Sequence, residues 1–173
     1  MTKLDPLPDL YLDMDGVLAD FDTVAGKITG KDTSMATGTL LTPDDWKKIK
    51  ADKNFWFDLP QMPNLHILWD FVKQFEPHIL SAYTNEDKEN GIRGKTSWIK
   101  KNLGNIPSSK IHLVERHEKQ QFAVNKTTGK PNVLVDDYKK NIDEWRKAGG
   151  FPVHHVGVRS TIAKLKLLGY KKD

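Results

Sequence analysis

Residues 11 to 22 read YLDMDGVLADFD. The apolar residues Leu10, Tyr11 and Leu12 stop abruptly at two carboxylates, Asp13 and Asp15, and Gly16 follows at once. Side chains two apart on an extended chain point the same way, so both acids can face one side while the glycine lets the chain turn tightly behind them. Like charges so placed repel, and a cation between them relieves the repulsion. Asp-x-Asp-Gly is also ordinary turn chemistry. A second acidic pair, Asp136 and Asp137, ends another apolar run and shifts the balance. A hard cation such as magnesium takes several oxygen ligands, more than a single strand end supplies.

Further runs share the pattern of the first. PHILSAY (77 to 83) and NVLVDD (132 to 137) join DLYLDMD (9 to 15) as strand-length apolar runs that end in polar residues, and KIHLV (110 to 114) and VHHVGV (153 to 158) supply two more. Helical spacing lies between and after them. PNLHILWDFVKQF sets Leu65, Leu68, Trp69, Val72 and Phe75 on one stripe. The stretch from Gly94 to Gly104 carries Trp98, Ile99 and Leu103. YKKNIDEWRKAGG carries Ile142, Trp145 and Ala148 before its glycine stop, and STIAKLKLLGY makes a last helix with Ile162, Leu165 and Leu168 inward. Strands alternating with helices predict a Rossmann-like α/β fold, a parallel sheet flanked by helices. Ligands of such sheets sit beyond the carboxyl ends of the strands, here at Asp13, Ser81 and Asp136.

One segment breaks the alternation. Residues 21 to 62 insert a Gly/Thr-rich loop and a short helix with Thr42 as N-cap and Pro43 as its first residue, followed by NFWFDLPQMP. They read as a small, mainly helical cap after the first core strand, with 1–20 and 63–173 forming the core. Phe55, Trp56 and Phe57 can stack a nucleobase or form the cap's own core, and the sequence leaves both open. KTTGK at 126 to 130 reads as a surface turn.

Composition narrows the chemistry. The chain of 173 residues has no cysteine, which excludes disulfides, thiolate metal sites and cysteine nucleophiles, so a metal must be held by oxygen or imidazole. Lysine makes up 23 of the 27 basic residues, and the net charge of +4 reads mostly as solvated surface. Nucleic acid is a less favoured partner than a small acidic molecule. The absence of a membrane-length apolar run and the polar start MTKLDPLPDL predict a cytoplasmic protein with no membrane partner. His154 and His155 are neighbours on a strand and face opposite ways, so they cannot chelate one ion together. Asp20 and Asp22 read as capping or hinge residues. Oligomeric state is not readable.

A divalent ion among these acids would offset the repulsion between an anionic nucleophile and a phosphate. Asp13 is then a candidate nucleophile, and Asp15 a candidate proton donor to the leaving oxygen and acceptor from water. The stretch DMDGVLAD resembles the first motif of the haloacid dehalogenase (HAD) superfamily, Ser81 resembles its second and VDD at 135 to 137 its acidic fourth. With NFWFDLPQMP, the set is similar to the 5'(3')-deoxyribonucleotidases, which dephosphorylate nucleoside monophosphates. The resemblance implies a HAD fold and magnesium held by Asp13, the Asp15 backbone carbonyl and Asp136 or Asp137. It implies phosphate bound at Ser81 and Ala82 and by a third-motif lysine. Lys119 in ERHEKQQFA is the leading candidate, ahead of Lys95 and Lys126, and Lys95 is an auxiliary phosphate ligand. Phe21, Phe55, Trp56 and Phe57 are the candidate substrate contacts. The chain departs from that family at Ala82, where a second hydroxyl is common, and at Tyr138, where an arginine is common. LVDDYKKNIDEWRKAGG also resembles phage-type polynucleotide kinase phosphatase domains, which implies a 3'-phosphatase acting on nucleic-acid ends as the alternative; a phosphatase of another small phosphate ester is the other alternative.

Overall fold

The computed structural model describes residues 6–34 and 40–171. Its centre is a five-stranded parallel sheet with strands β1 (Leu10–Leu12), β2 (His78–Ala82), β3 (Ile111–Val114), β4 (Val133–Asp136) and β5 (Phe151–His154), in the order β3-β2-β1-β4-β5. Four of them fall within the apolar runs of the sequence, and β5 starts two residues ahead of the run VHHVGV. The run VHHVGV ends early as a strand: the His155 N–H still bonds the Asp136 carbonyl, and Gly157 then caps the next helix.

Alternation along the strands feeds two cores. Leu10, Leu12, Ile79, Val133, Val135 and Val153 face one side, against α3 (Leu65–Val72), α4 (Lys88–Leu103) and α6 (Val158–Leu167). Tyr11, Leu80 and Leu134 face the other, against Trp145 of α5 (Lys139–Lys147) and a 3-10 helix over Arg116–Phe122. Burial on both faces is why each strand reads as a nearly unbroken apolar run. The chain moves outward from β1 to β3 and returns on the opposite side at β4. The switch point therefore lies between the ends of β1 and β4, and it brings Asp13 beside Asp136 and Asp137.

Residues 21 to 62 hold α1 (Phe21–Thr29) and α2 (Pro43–Ala51). The sequence reading took residues 26 to 39 as loop. Instead, Asp20 accepts a hydrogen bond from the Thr23 N–H and starts a helix that runs to Gly30, at φ +71°. The second half of that expected loop, 35 to 39, lies outside the described residues. In α2 the capping box is complete, with Thr42 and Asp45 bonding each other's backbone N–H groups. Where the insertion leaves and rejoins the body, Ala19 and Gln61 form an antiparallel bridge. Phe21, Ala25, Ile49, Phe55 and Trp56 are continuous with the main core, so the insertion has no separate core.

Helix α4 begins six residues earlier than the expected Gly94, and the glycines at 91 and 94 lie inside it. A Cβ at Gly94 would stand 2.4 Å from the Trp56 Cβ and 3.0 Å from the insertion's backbone, so α4 and the insertion meet there without room for a side chain. Among the described residues no helix is long and apolar enough to cross a membrane.

Candidate active site

The turn after β1 builds the floor. The Asp13 N–H extends the ladder to the Val135 carbonyl at 2.9 Å, and the Met14 carbonyl then accepts from the N–H groups of Val17, Leu18 and Ala19. Gly16 sits at φ +81°, and a Cβ there would lie 2.0 Å from Asp137 Oδ2. Glycine therefore serves twice, adopting the left-handed turn and letting the Asp137 carboxylate close over it.

Asp13, Asp136 and Asp137 each present an oxygen, all within 4.8 Å of one another. Lys119, one turn into the 3-10 helix after β3, donates to Asp13 Oδ1 at 2.7 Å and to Asp136 Oδ2 at 3.0 Å. Asp136 is fully buried and also accepts from the Tyr138 N–H at 2.9 Å and the Asn141 side-chain amide at 3.1 Å. Three carboxylates around one ammonium leave an excess of negative charge. Burial pushes Asp13 above the ordinary carboxylate range and the Asp136 charge pushes it further, against the pull of Lys119. Burial raises Asp137 too, followed by the charges of Asp13, Asp136 and Asp22. Burial alone would lower Lys119, but Asp13 and Asp136 outweigh it and hold the ammonium charged.

A second knot lies beside the first. Lys95 Nζ donates to Asp15 Oδ2 and to Ser81 Oγ, both at 2.7 Å, and stands 5.0 Å from the Trp56 ring centroid. Asp15 Oδ1 is buried with no hydrogen-bond partner among the described residues.

These groups open into a crevice of about 380 Å³, within the usual range for a small-molecule site. Asp13, Asp15, Lys119 and Asp137 line it on one side, and Phe21, Trp46 and Trp56 on the other. Phe21 stacks on Trp56 at 24° with centroids 5.6 Å apart, and Trp46 lies at 17° to Trp56. Ala82 also lines the crevice, whereas Ser81 and Lys95 lie fully buried behind it.

Two expected substrate contacts lie elsewhere. Phe55 is buried edge-on beneath Trp56 and packs the insertion. Phe57 lines a separate groove with Ile92, Thr96 and Ile99. In the consecutive run 55 to 57, only Trp56 is turned toward the crevice. Lys126, the remaining lysine candidate, lines a different pocket with Asp9 and Tyr11. His154 Nε2 lies 3.0 Å from the Asp137 carbonyl and His155 Nδ1 lies 2.7 Å from Thr161 Oγ1, so the two histidines serve separate partners.

Sequence reasoning did not single out Trp46, Asp87 or Asn141, and it read Arg116 only as part of the stretch RHEK that marks Lys119, with no role of its own. Trp56 Nε1 donates to Asp87 Oδ2 at 2.8 Å, and Arg116 bonds Asn141 and Glu144 at the rim. The i, i+3 spacing of Arg116 and Lys119 is the signal that would have pointed to Arg116.

The oxygen-only donor set and its surplus negative charge suit a hard divalent cation such as magnesium. Asp13, Asp136 and Asp137 are the side chains able to hold it.

No protein-family model and no curated protein matches the chain. Solved structures do. A hydrolase from Streptococcus pneumoniae TIGR4 is similar at 11% identity and TM-score 0.53, over 92% of this chain and 98% of that one. A dehalogenase is similar at 12% identity and TM-score 0.54, over 98% of this chain and 100% of the other. At these identities the likeness establishes a common α/β Rossmann-like fold.

Proposed function

We propose that this chain is a magnesium-dependent phosphomonoesterase of the HAD superfamily, acting on nucleoside monophosphates through an aspartyl phosphate on Asp13. The observation that carries it is the meeting of Asp13, Asp136 and Asp137 around Lys119 at the switch point of the sheet. The fold shared with a dehalogenase and the order of the DMDG, Ser81 and VDD motifs support the superfamily.

Each residue has one task in this reading. A carboxylate oxygen of Asp13 bonds to phosphorus as the ester P–O bond breaks, and Asp15 gives its proton to the leaving oxygen. Water then attacks the phosphorus and yields its proton to Asp15, and phosphate leaves with Asp13 restored. Lys119 holds Asp13 in place, while Asn141 and the Tyr138 N–H fix Asp136. Bound magnesium would offset the charge repulsion between the carboxylate and the phosphoryl oxygens. The insertion, residues 21 to 62, acts as a cap whose Phe21, Trp46 and Trp56 offer flat apolar faces to a base.

The test is phosphate release from deoxyribonucleoside monophosphates, a 3'-phosphorylated oligonucleotide and a sugar phosphate, with magnesium present. Free nucleotides are expected to be the best substrates. Faster turnover of the oligonucleotide, falling steeply with salt, would move the function to nucleic-acid ends. Asp13→Asn should abolish release while leaving the fold intact, and retained turnover would refute the covalent role.

A further inference from the structure

Arg116 stands at the rim of the crevice that Lys119 also lines. It begins the 3-10 helix that carries Lys119. Residues three apart eclipse on such a helix, so the two side chains leave the same face about 6 Å apart along its axis. Both line the crevice, and they are its only basic residues among the described ones.

Their states differ. Lys119 is nearly buried and engaged by two carboxylates. Arg116 donates from one terminal nitrogen to Asn141 Oδ1 at 3.0 Å and Glu144 Oε2 at 2.8 Å, and from the other to Glu144 Oε1 at 3.2 Å. A guanidinium has five N–H donors, so two remain after these bonds. The Arg116 side chain is 32% exposed and Glu144 25%, so water screens the charge of the pair while its two-point contact fixes the plane of the guanidinium. What the pair does is hold the guanidinium fork rigid at the rim. Tyr138 and Asn141 line the crevice beside it.

We propose that Arg116 forms a subsite for a second oxyanion, a phosphate or carboxylate carried on the leaving group about one sugar ring away from the phosphoryl group at Asp13. The inference rests on the phosphatase reading of the same crevice and names the substrate class within it: esters with two anionic groups, such as a nucleoside 3',5'-bisphosphate. A planar fork with spare donors matches an oxyanion in geometry as well as charge. Asn141 ties the subsite to the reaction centre, because its amide accepts from Arg116 and donates to Asp136.

The experiment is competition against hydrolysis of p-nitrophenyl phosphate, with magnesium present. A nucleoside 3',5'-bisphosphate should inhibit at a concentration at least about tenfold lower than the 5'-monophosphate. The gap should collapse in Arg116→Met and survive in part in Arg116→Lys. Glu144→Gln removes the charge of the pair but keeps an amide oxygen to accept from Arg116 and keeps the guanidinium itself, so it should keep most of the gap, which separates loss of the subsite from loss of the ion pair. A carboxyl-bearing aryl phosphate in the panel tells a carboxylate from a phosphate as occupant. Equal inhibition by the two nucleotides in the unmodified protein would overturn the proposal. So would an Arg116→Met that weakens both alike, since Arg116 would then hold the scissile phosphate or only the fold. If p-nitrophenyl phosphate is not hydrolysed at all, the phosphatase reading fails separately. Calorimetric binding of the same two nucleotides then decides the subsite by the same gap.

Discussion

Two lysines are buried side by side at the crevice, and the charge around them differs. Lys95 has one carboxylate, one hydroxyl and one aromatic face, a neutral and closed set. Lys119 sits among three carboxylates, with a surplus of negative charge that no further ion pair among the described residues cancels. Folding balances the charge of the first region, whereas the second is balanced only when a further positive charge arrives. The two acids assigned to the reaction are thus divided between neighbouring knots, with Asp13 in the charge-surplus one and Asp15 in the charge-balanced one.

The largest expected effect separates the two directly. Lys119→Met leaves buried acids without their counterion and should cost about 3–5 kcal/mol of stability, with kcat reduced roughly 10³-fold. Lys95→Met should reduce kcat less, by about 10²-fold. Asp15 is 28% exposed and can rehydrate once its partner is gone. Magnesium should restore part of the lost stability in Lys119→Met and none in Lys95→Met, as read from thermal midpoints. Equal rescue of both would erase the distinction.

A smaller effect comes from the surplus charge itself. The carboxyls of Asp13 and Asp137 titrate above their ordinary range because they are buried beside other acids. The folded protein therefore holds protons that the unfolded chain releases near pH 4, so metal-free stability should fall as pH rises from about 4 through neutrality. Magnesium favours the ionised acids, and its benefit should grow over the same interval. At a concentration near 100 times its dissociation constant it would add about 2.7 kcal/mol, a shift of roughly 5–10 °C in Tm. Asp137→Asn should raise the midpoint in chelator at neutral pH and blunt the response to magnesium. A midpoint indifferent to magnesium at every pH would show that the three acids do not share a cation.

Both knots are partly legible in the sequence. Strands buried on both faces are continuous apolar runs, so the sheet and the strand-end acids can be read directly. Lys119 is within reach because it follows one of those runs. Helix α4 is read from the sequence as starting at Gly94, six residues late, and Gly91 and Gly94 lie inside it. The reason for Gly94 is tertiary, the close approach of Trp56, which nothing local records. The same holds for Asp87, Asn141 and Arg116, polar residues on helices whose partners are 25 to 31 positions away or in another element. Phe55, Trp56 and Phe57 show the limit from the other side. Composition marks all three, and only packing separates the crevice face from the core.

The finest test lies where the closed knot touches the crevice. Trp56 offers one ring to two tasks: its face carries Lys95 and its Nε1–H holds the buried Asp87 carboxylate at 2.8 Å. Trp56→Phe keeps an aromatic face and fits the space left by Gly94, but it removes the donor. Asp87 would retain the Asn90 amide at 3.1 Å as its remaining side-chain partner. The loss of one hydrogen bond to a charged group should cost about 1.5 kcal/mol. Because Lys95 then rests on a looser ring, kcat should fall a few-fold while the magnesium-induced rise in Tm stays unchanged. Trp56→Leu, which removes the aromatic face as well, should lower kcat further with the same magnesium response. If either variant altered the magnesium response as much as Asp137→Asn does, the two lysine sites would be one coupled network, and the contrast between a closed and an open knot would not hold.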